Sequence, residues 1–267
     1  MLETVVLQVT TKCPYHCPQC YMKRGDEDMS ADVAKSVMAA ALEKGARAVQ
    51  ITGGEPLAYP HLLDAIQYAS ELGLMSLLAT SGYRCCDEVY ARLKRVGLTA
   101  ICVSINGASE ITNRRSRDSF HTSLDAIRMA VKHDILCFLN VVVTDDNVSE
   151  LRALGEYAES HGVAGINILR PVCSNDGRYV PRISKQTLTT LADIVGASPD
   201  LFRVEGCYRE YWEHVTGEKF SCRDLGKTTY FVNVDGTVSP CSKTTRYRYG
   251  SFSKMLAKIS DWGCGCL

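Results

Sequence analysis

The sequence has no excess of charge of either sign. Its 30 basic and 30 acidic side chains cancel to a formal net charge of +0. That argues against general nucleic-acid binding or adhesion to an anionic membrane surface, while leaving room for a local basic patch. It has no run of about 18 or more apolar residues, so no membrane-spanning helix is expected. The opening stretch, "MLETVVLQVTTKC", has no basic region followed by a long apolar segment and a small-residue cleavage site. It does not read as a signal peptide, and a cytoplasmic location is expected. Repeats and low-complexity segments are also missing.

Cysteine, by contrast, is abundant: 13 residues in 267. An odd count in a chain without an export signal fits reduced thiols better than disulfides, so clustered cysteines read as metal ligands. The tightest cluster is "CPYHCPQCY", where Cys13, Cys17 and Cys20 follow a C-x3-C-x2-C spacing and the next cysteine is Cys85. A structural zinc site wants four ligands, which a distant residue could complete. An iron–sulfur cubane is the other reading. Three cysteines then hold three irons and the fourth iron keeps an open position for chemistry.

The chain alternates β-rich runs with amphipathic helices. Strands are predicted at 4–10, 47–52, 74–80, 100–105, 137–143 and 165–169. Between them, apolar stripes such as Val33/Val37/Ala41 and Leu62/Ile66/Ala69 predict helices that stop near Gly45, Gly73, Gly97 and Gly162. Six β-then-α units imply a parallel sheet covered by helices. An open or partial barrel and a doubly wound sheet both fit this periodicity. In either case, function gathers at the C-terminal ends of the strands. There the sequence places the cysteine loop, "TGGEP", "TSG", "SING", Thr144 and Arg170. The texture changes after about residue 200. A hairpin is predicted around Asp235-Gly236, and a small C-terminal domain is placed at 205–267 behind a barrel at 1–204.

These features together resemble the radical S-adenosylmethionine (SAM) superfamily. The cysteine loop carries the resemblance, with Tyr21 directly after Cys20 as in the branch that holds extra clusters. The resemblance implies an α/β fold, a partial (β/α)6 TIM-like barrel with a small cysteine-containing extension. It implies a [4Fe-4S] cluster on Cys13, Cys17 and Cys20 whose free iron chelates SAM. Reductive cleavage of SAM then yields a 5′-deoxyadenosyl radical that abstracts a substrate hydrogen. "GGEP" supports the reading. Gly53 and Gly54 would let a ligand approach the backbone, Glu55 would accept from the methionyl ammonium, and Pro56 ends the strand. Ser104 and Asn106 match the family's Ser-x-Asp-Gly segment and are expected at the ribose or carboxylate of SAM. Ser81 and Arg170 are further cofactor-binding candidates. Arg114, Arg115 and Arg117 are weighed too and read as solvated loop charges.

The extension resembles the SPASM and twitch domains. Thirteen residues separate Cys222 from Gly236, and four more separate Gly236 from Cys241. The resemblance implies a second, auxiliary [4Fe-4S] cluster on Cys222 and Cys241, completed by Cys264 and Cys266, with Cys207 as a substitute for one of the last pair. Cys102 and Cys137 are expected in the core, and Cys173 near the substrate or on the surface. The implied activity is oxidation or cross-linking of a peptide side chain, with the auxiliary cluster as electron acceptor. Dehydrogenation of a small alcohol or sugar, and glycyl-radical activation, stand as alternatives. A zinc or iron–sulfur binding module without catalysis is the contrasting class. Implied partners are a peptide or small-molecule substrate, a flavodoxin or ferredoxin electron donor, and a separate peptide-recognition protein.

Overall fold

The computed structural model describes residues 2–220, 228–239, 241, 243 and 250. Seven parallel strands run in sequence order: β1 (Thr4–Thr10), β2 (Ala48–Gly53), β3 (Met75–Thr80), β4 (Ala100–Ser104), β5 (Leu136–Val142), β6 (Gly165–Leu169) and β7 (Phe202–Val204). The crossovers are α1 (Ala31–Glu43), α2 (Leu62–Glu71), α3 (Asp87–Arg95), α4 (Glu110–Arg114) with α5 (Phe120–Lys132), α6 (Leu151–Ser160) and α7 (Lys185–Ala197). From β1 to β7 the strand order never reverses, so these seven strands have no switch point. This removes the doubly wound alternative, because strands added in one direction with crossovers of one hand put every helix on the same side. The other side is left as the concave wall of an open barrel. The sheet does not close, and β7 is one of its edges.

Local sequence explains the elements. Ser30 caps α1 by accepting from the Val33 amide at 3.2 Å, and Ala34, Val37, Met38 and Ala41 form its buried stripe. Gly97 turns the chain out of α3 at φ +88°, and a side chain there would meet Ser70 Oγ at 2.5 Å. Along the strands, Val5, Leu7, Ile51, Leu78, Ile101, Leu139 and Ile168 are fully buried and belong to the apolar core. Each such side chain contributes about 1.5–3 kcal/mol by leaving water. The alternate residues face the concave side.

Two differences from the expected six units stand out. The seventh strand is three residues long, and of its residues only Phe202 is buried, too short a run to show alternation. α7, by contrast, carries a readable stripe of Leu188, Leu191 and Ile194. Beyond it lie α8 (Arg209–Thr216) and the expected hairpin, β8 (Thr229–Val232) with β9 (Val238–Ser239), turning at Gly236 with φ +78°. β8 pairs in parallel with β1, Thr4 opposite Thr229 through Leu7 opposite Val232. The hairpin therefore extends the main sheet past its first strand. Among the described residues no helix is long and apolar enough to cross a membrane.

Candidate active site

The concave face of the sheet and the loops above it enclose a cavity of about 620 Å³. Its walls are the inward-facing residues, among them Gln50, Ala79, Cys102, Asn140, Asn167 and Phe231. Its upper rim carries Cys13, Cys17, Cys20, Gly53, Gly54, Glu55, Ser81, Ser104 and Arg170. Cys137 lies in the core as expected. Cys102 is buried too, but on the cavity side of the sheet, because it sits one pleat out of phase with Ile101 and Val103. Cys173 is exposed on the loop after β6.

The cysteine loop is tied down from several sides. Gln19 N donates to Ser116 O at 3.1 Å, and Asn175 N donates to Cys20 O at 3.0 Å. His16 N donates to Asp118 Oδ2 at 2.7 Å. The three thiols are free of disulfides. Burial pushes the Cys13 thiol up to about 11. It also raises Cys17, against the pull of the Arg117 guanidinium. Such thiols ionise readily only when positive charge arrives, as metal brings. Among the described residues no three His, Cys, Asp or Glu side chains converge tightly enough to hold a single ion. The three cysteines border a volume, and in a cubane each thiolate binds a different iron.

The "GGEP" segment closes over this loop. A Cβ at Gly53 would lie 2.4 Å from Thr10 O, and one at Gly54 would lie 2.2 Å from Lys12 O. Both glycines are thus required by the chain's own backbone, whatever ligand approaches. Gly54 N donates to Thr10 O at 2.7 Å and Glu55 N to Lys12 O at 2.8 Å, fastening the loop to β2. Glu55 is 1% exposed. Its carboxyl accepts from the Thr80 hydroxyl, from Ser81 N at 2.8 Å and from Leu57 N at 3.1 Å. Burial raises its pKa, while those three donors and Arg117 pull the other way. Pro56 starts a short 3-10 turn and does not line the cavity.

Ser81 lines the cavity, and its hydroxyl accepts from Arg117 Nη1 at 3.1 Å. Arg117, which the sequence alone presents as a solvated charge, therefore faces inward between Glu55 and Cys17. Arg114 is indeed a surface residue, paired with Glu110, and Arg115 donates to Asp146 O. Asn106 departs from its expected place at the cofactor. Its amide donates to Gln19 Oε1 at 2.9 Å and Ser116 Oγ at 2.8 Å, and its carbonyl accepts from Val142 N at 3.0 Å. Those bonds fix it in the scaffold beneath the cysteine loop, away from the cavity wall.

Comparison with known proteins settles the family. The Radical SAM superfamily profile matches residues 7–158, more than half of the chain and the whole of this rim up to β5. The chain belongs to the radical SAM superfamily. It is 32% identical over 162 residues to PqqA peptide cyclase of Rhodopseudomonas palustris, covering 58% of this chain and 43% of that protein. It is 28% identical over 154 residues to PqqA peptide cyclase of Bradyrhizobium diazoefficiens, covering 55% and 40%. The chain thus spans less than half the length of these relatives. In fold it is similar to Streptococcus suis SuiB bound to precursor peptide SuiA, with TM-score 0.79 and 15% identity over 97% of this chain and 64% of that one. Radical SAM proteins use a [4Fe-4S] cluster and SAM, and the free thiols, the buried Glu55 and the inward Arg117 suit that pair of groups.

A second set of residues from the C-terminal part lines the same cavity. Cys207 and Cys241 both line it, and Lys243 touches both sulfurs. Glu205 pairs with Lys243 and accepts from Arg170 N at 2.8 Å. The Arg170 guanidinium itself meets Glu210 at 3.5 Å. Cys222, Cys264 and Cys266 lie outside the described residues. Sequence reasoning did not single out Asn140, Asn167, Glu205 or Lys243. Asn140 and Asn167 are register partners whose side chains hydrogen-bond at 3.0 Å. Polar residues in the middle of otherwise apolar strands were the available signal.

Proposed function

We propose that this chain reductively cleaves SAM and abstracts a hydrogen from a peptide side chain, oxidising or cross-linking it, with an auxiliary [4Fe-4S] cluster taking up the second electron. The observation that carries the reading is a single cavity lined by two sets of cysteines, Cys13/Cys17/Cys20 from the loop after β1 and Cys207/Cys241 from the C-terminal part. The peptide class rests on PqqA peptide cyclase and on the precursor peptide bound to SuiB. Cys13, Cys17 and Cys20 would hold the first cluster. Cys207 and Cys241, with partners from Cys222, Cys264 and Cys266, would hold the second within residues 205–267. When bound, the first cluster supplies the electron that splits the SAM sulfonium.

The protein's own groups do the positioning. Glu55 is fixed by Thr80, Ser81 and Leu57 and offers its remaining lone pairs to the methionyl ammonium. Arg117 sets positive charge where a carboxylate would lie, and Ser81 and Ser104 present hydroxyls along the same rim. The amide pair Asn140–Asn167 lines the same cavity, with Asn140 the register partner of Ser104, and suits polar substrate atoms. A flavodoxin or ferredoxin would supply electrons, and a separate recognition protein could deliver the peptide.

The test is an iron and acid-labile sulfide count on anaerobically reconstituted protein, beside a Cys207→Ala, Cys241→Ala double variant. About eight irons falling to about four supports two cubanes. About four in both removes the second cluster, and zinc without sulfide overturns the whole reading. 5′-Deoxyadenosine release on reduction in the presence of SAM checks the first step.

A further inference from the structure

Lys243 is an unusual residue to find inside this cavity. Its side chain is 8% exposed, and an ammonium is costly to bury unless it is paired. One partner is Glu205, itself held by Arg170 N at 2.8 Å. Two sulfurs lie beside it as well. Lys243 Nζ lies 3.4 Å from Cys207 Sγ, and Lys243 N lies 3.4 Å from Cys241 Sγ. One residue thus directs both its backbone N–H and its charged side chain at two thiols that line the cavity. Pairing with Glu205 offsets the cost of burying that charge.

We infer that Lys243 is a positioning residue that raises the reduction potential of the cluster held at Cys207 and Cys241, with Glu205 setting the size of the effect. The inference rests on the auxiliary-cluster reading above. Reducing a cubane adds one electron to its irons, and the cluster, sulfurs included, becomes more negative by one charge. N–H···S bonds and a nearby cation stabilise the reduced form more than the oxidised one. In a site shielded from water that preference is large, because opposite charges are weakly screened. Glu205 offsets part of the cation's field, so the two side chains act in opposite directions. A higher potential makes the cluster a better acceptor for an electron left on the substrate after hydrogen abstraction.

The experiment is an EPR-monitored potentiometric titration of the reconstituted holoenzyme, following the cluster signal that SAM does not perturb. Lys243→Gln should move its midpoint down, Glu205→Gln should move it up, and Lys243→Arg should leave it near wild type. Loss of packing alone cannot produce shifts of opposite sign at two contacting residues. Unchanged midpoints in variants that retain about eight irons overturn the inference. Should Lys243→Gln fail to retain the cluster, Glu205→Gln keeps the ammonium and decides alone, an unshifted or lowered midpoint being refutation. A wild-type protein with about four irons and no second signal means that the auxiliary-cluster reading itself has failed.

Discussion

Replacing Gly54 with alanine tests how tightly the cysteine loop is bound to the sheet. The new Cβ would sit 2.2 Å from Lys12 O, 2.7 Å from Lys12 C and 2.9 Å from Thr11 O. All three are backbone atoms, so no rotamer change can make room. The loop must move, and the bonds from Gly54 N to Thr10 O and from Glu55 N to Lys12 O stretch or break. Two buried hydrogen bonds cost about 1 kcal/mol each, and overpacking adds about 1–3 kcal/mol. The sum is about 3–5 kcal/mol, a large part of the 5–15 kcal/mol that holds a typical domain together. For a chain of this size it should lower the unfolding temperature by roughly 10 °C. Because Lys12 precedes Cys13, SAM binding should weaken as well. Gly196→Ala is the matched comparison. Gly196 lies in α7, and a methyl group there would meet nothing within 4 Å, so that change should stabilise by about 0.5–1 kcal/mol. Thermal unfolding followed by circular dichroism, with calorimetric SAM binding, checks both. A Gly54→Ala protein within about 1 kcal/mol of wild type that binds SAM normally would refute the argument.

Two further outcomes follow from the rim. Burial lifts the Glu55 carboxyl above its ordinary range, so the folded protein keeps that proton to higher pH than the unfolded chain does. Its contribution is therefore complete below the unfolded value and drains away as pH rises through the folded one. Glu55→Gln should flatten that part of the stability profile, and parallel urea-midpoint curves for the two proteins between acidic and neutral pH would refute this. Asn106→Ala removes bonds to Gln19, Ser116 and Val142. It should cost about 3 kcal/mol in thermal unfolding, and a much smaller loss would return Asn106 to a ligand-facing role.

The parts of the fold that repeat locally are legible in the sequence. Strand runs such as "TVVLQVT" are readable from their apolar, β-branched content, with Val5, Leu7 and Val9 in the core, and Ser30 and Gly97 announce helix ends through their own side chain or lack of one. What escapes a sequence reading depends on contacts made across the chain. The pairing of β8 with β1 leaves no local trace. Arg117 looks like any loop arginine until α4 and α5 turn it toward Ser81. Gly53 and Gly54 read as room for a ligand, whereas the carbonyls of Thr10 and Lys12 already occupy that room. Asn106 sits in the expected motif, but hydrogen bonds from three other segments draw it into the scaffold. The cysteine loop itself is readable because its spacing is local chemistry, three thiols within eight residues.

The pairing of β8 with β1 also bears on how the chain acquires its shape during synthesis. Strand β1 gains one neighbour when Ala48–Gly53 emerges, yet its other backbone edge, from Thr4 to Leu7, stays open until Thr229–Val232 has been translated. That edge belongs to an apolar, β-branched segment, the kind that recruits stray strands. Nascent chains should therefore remain dependent on chaperones while the residues between β2 and β8 are made, and truncations that remove β8 should precipitate even though every barrel crossover is intact.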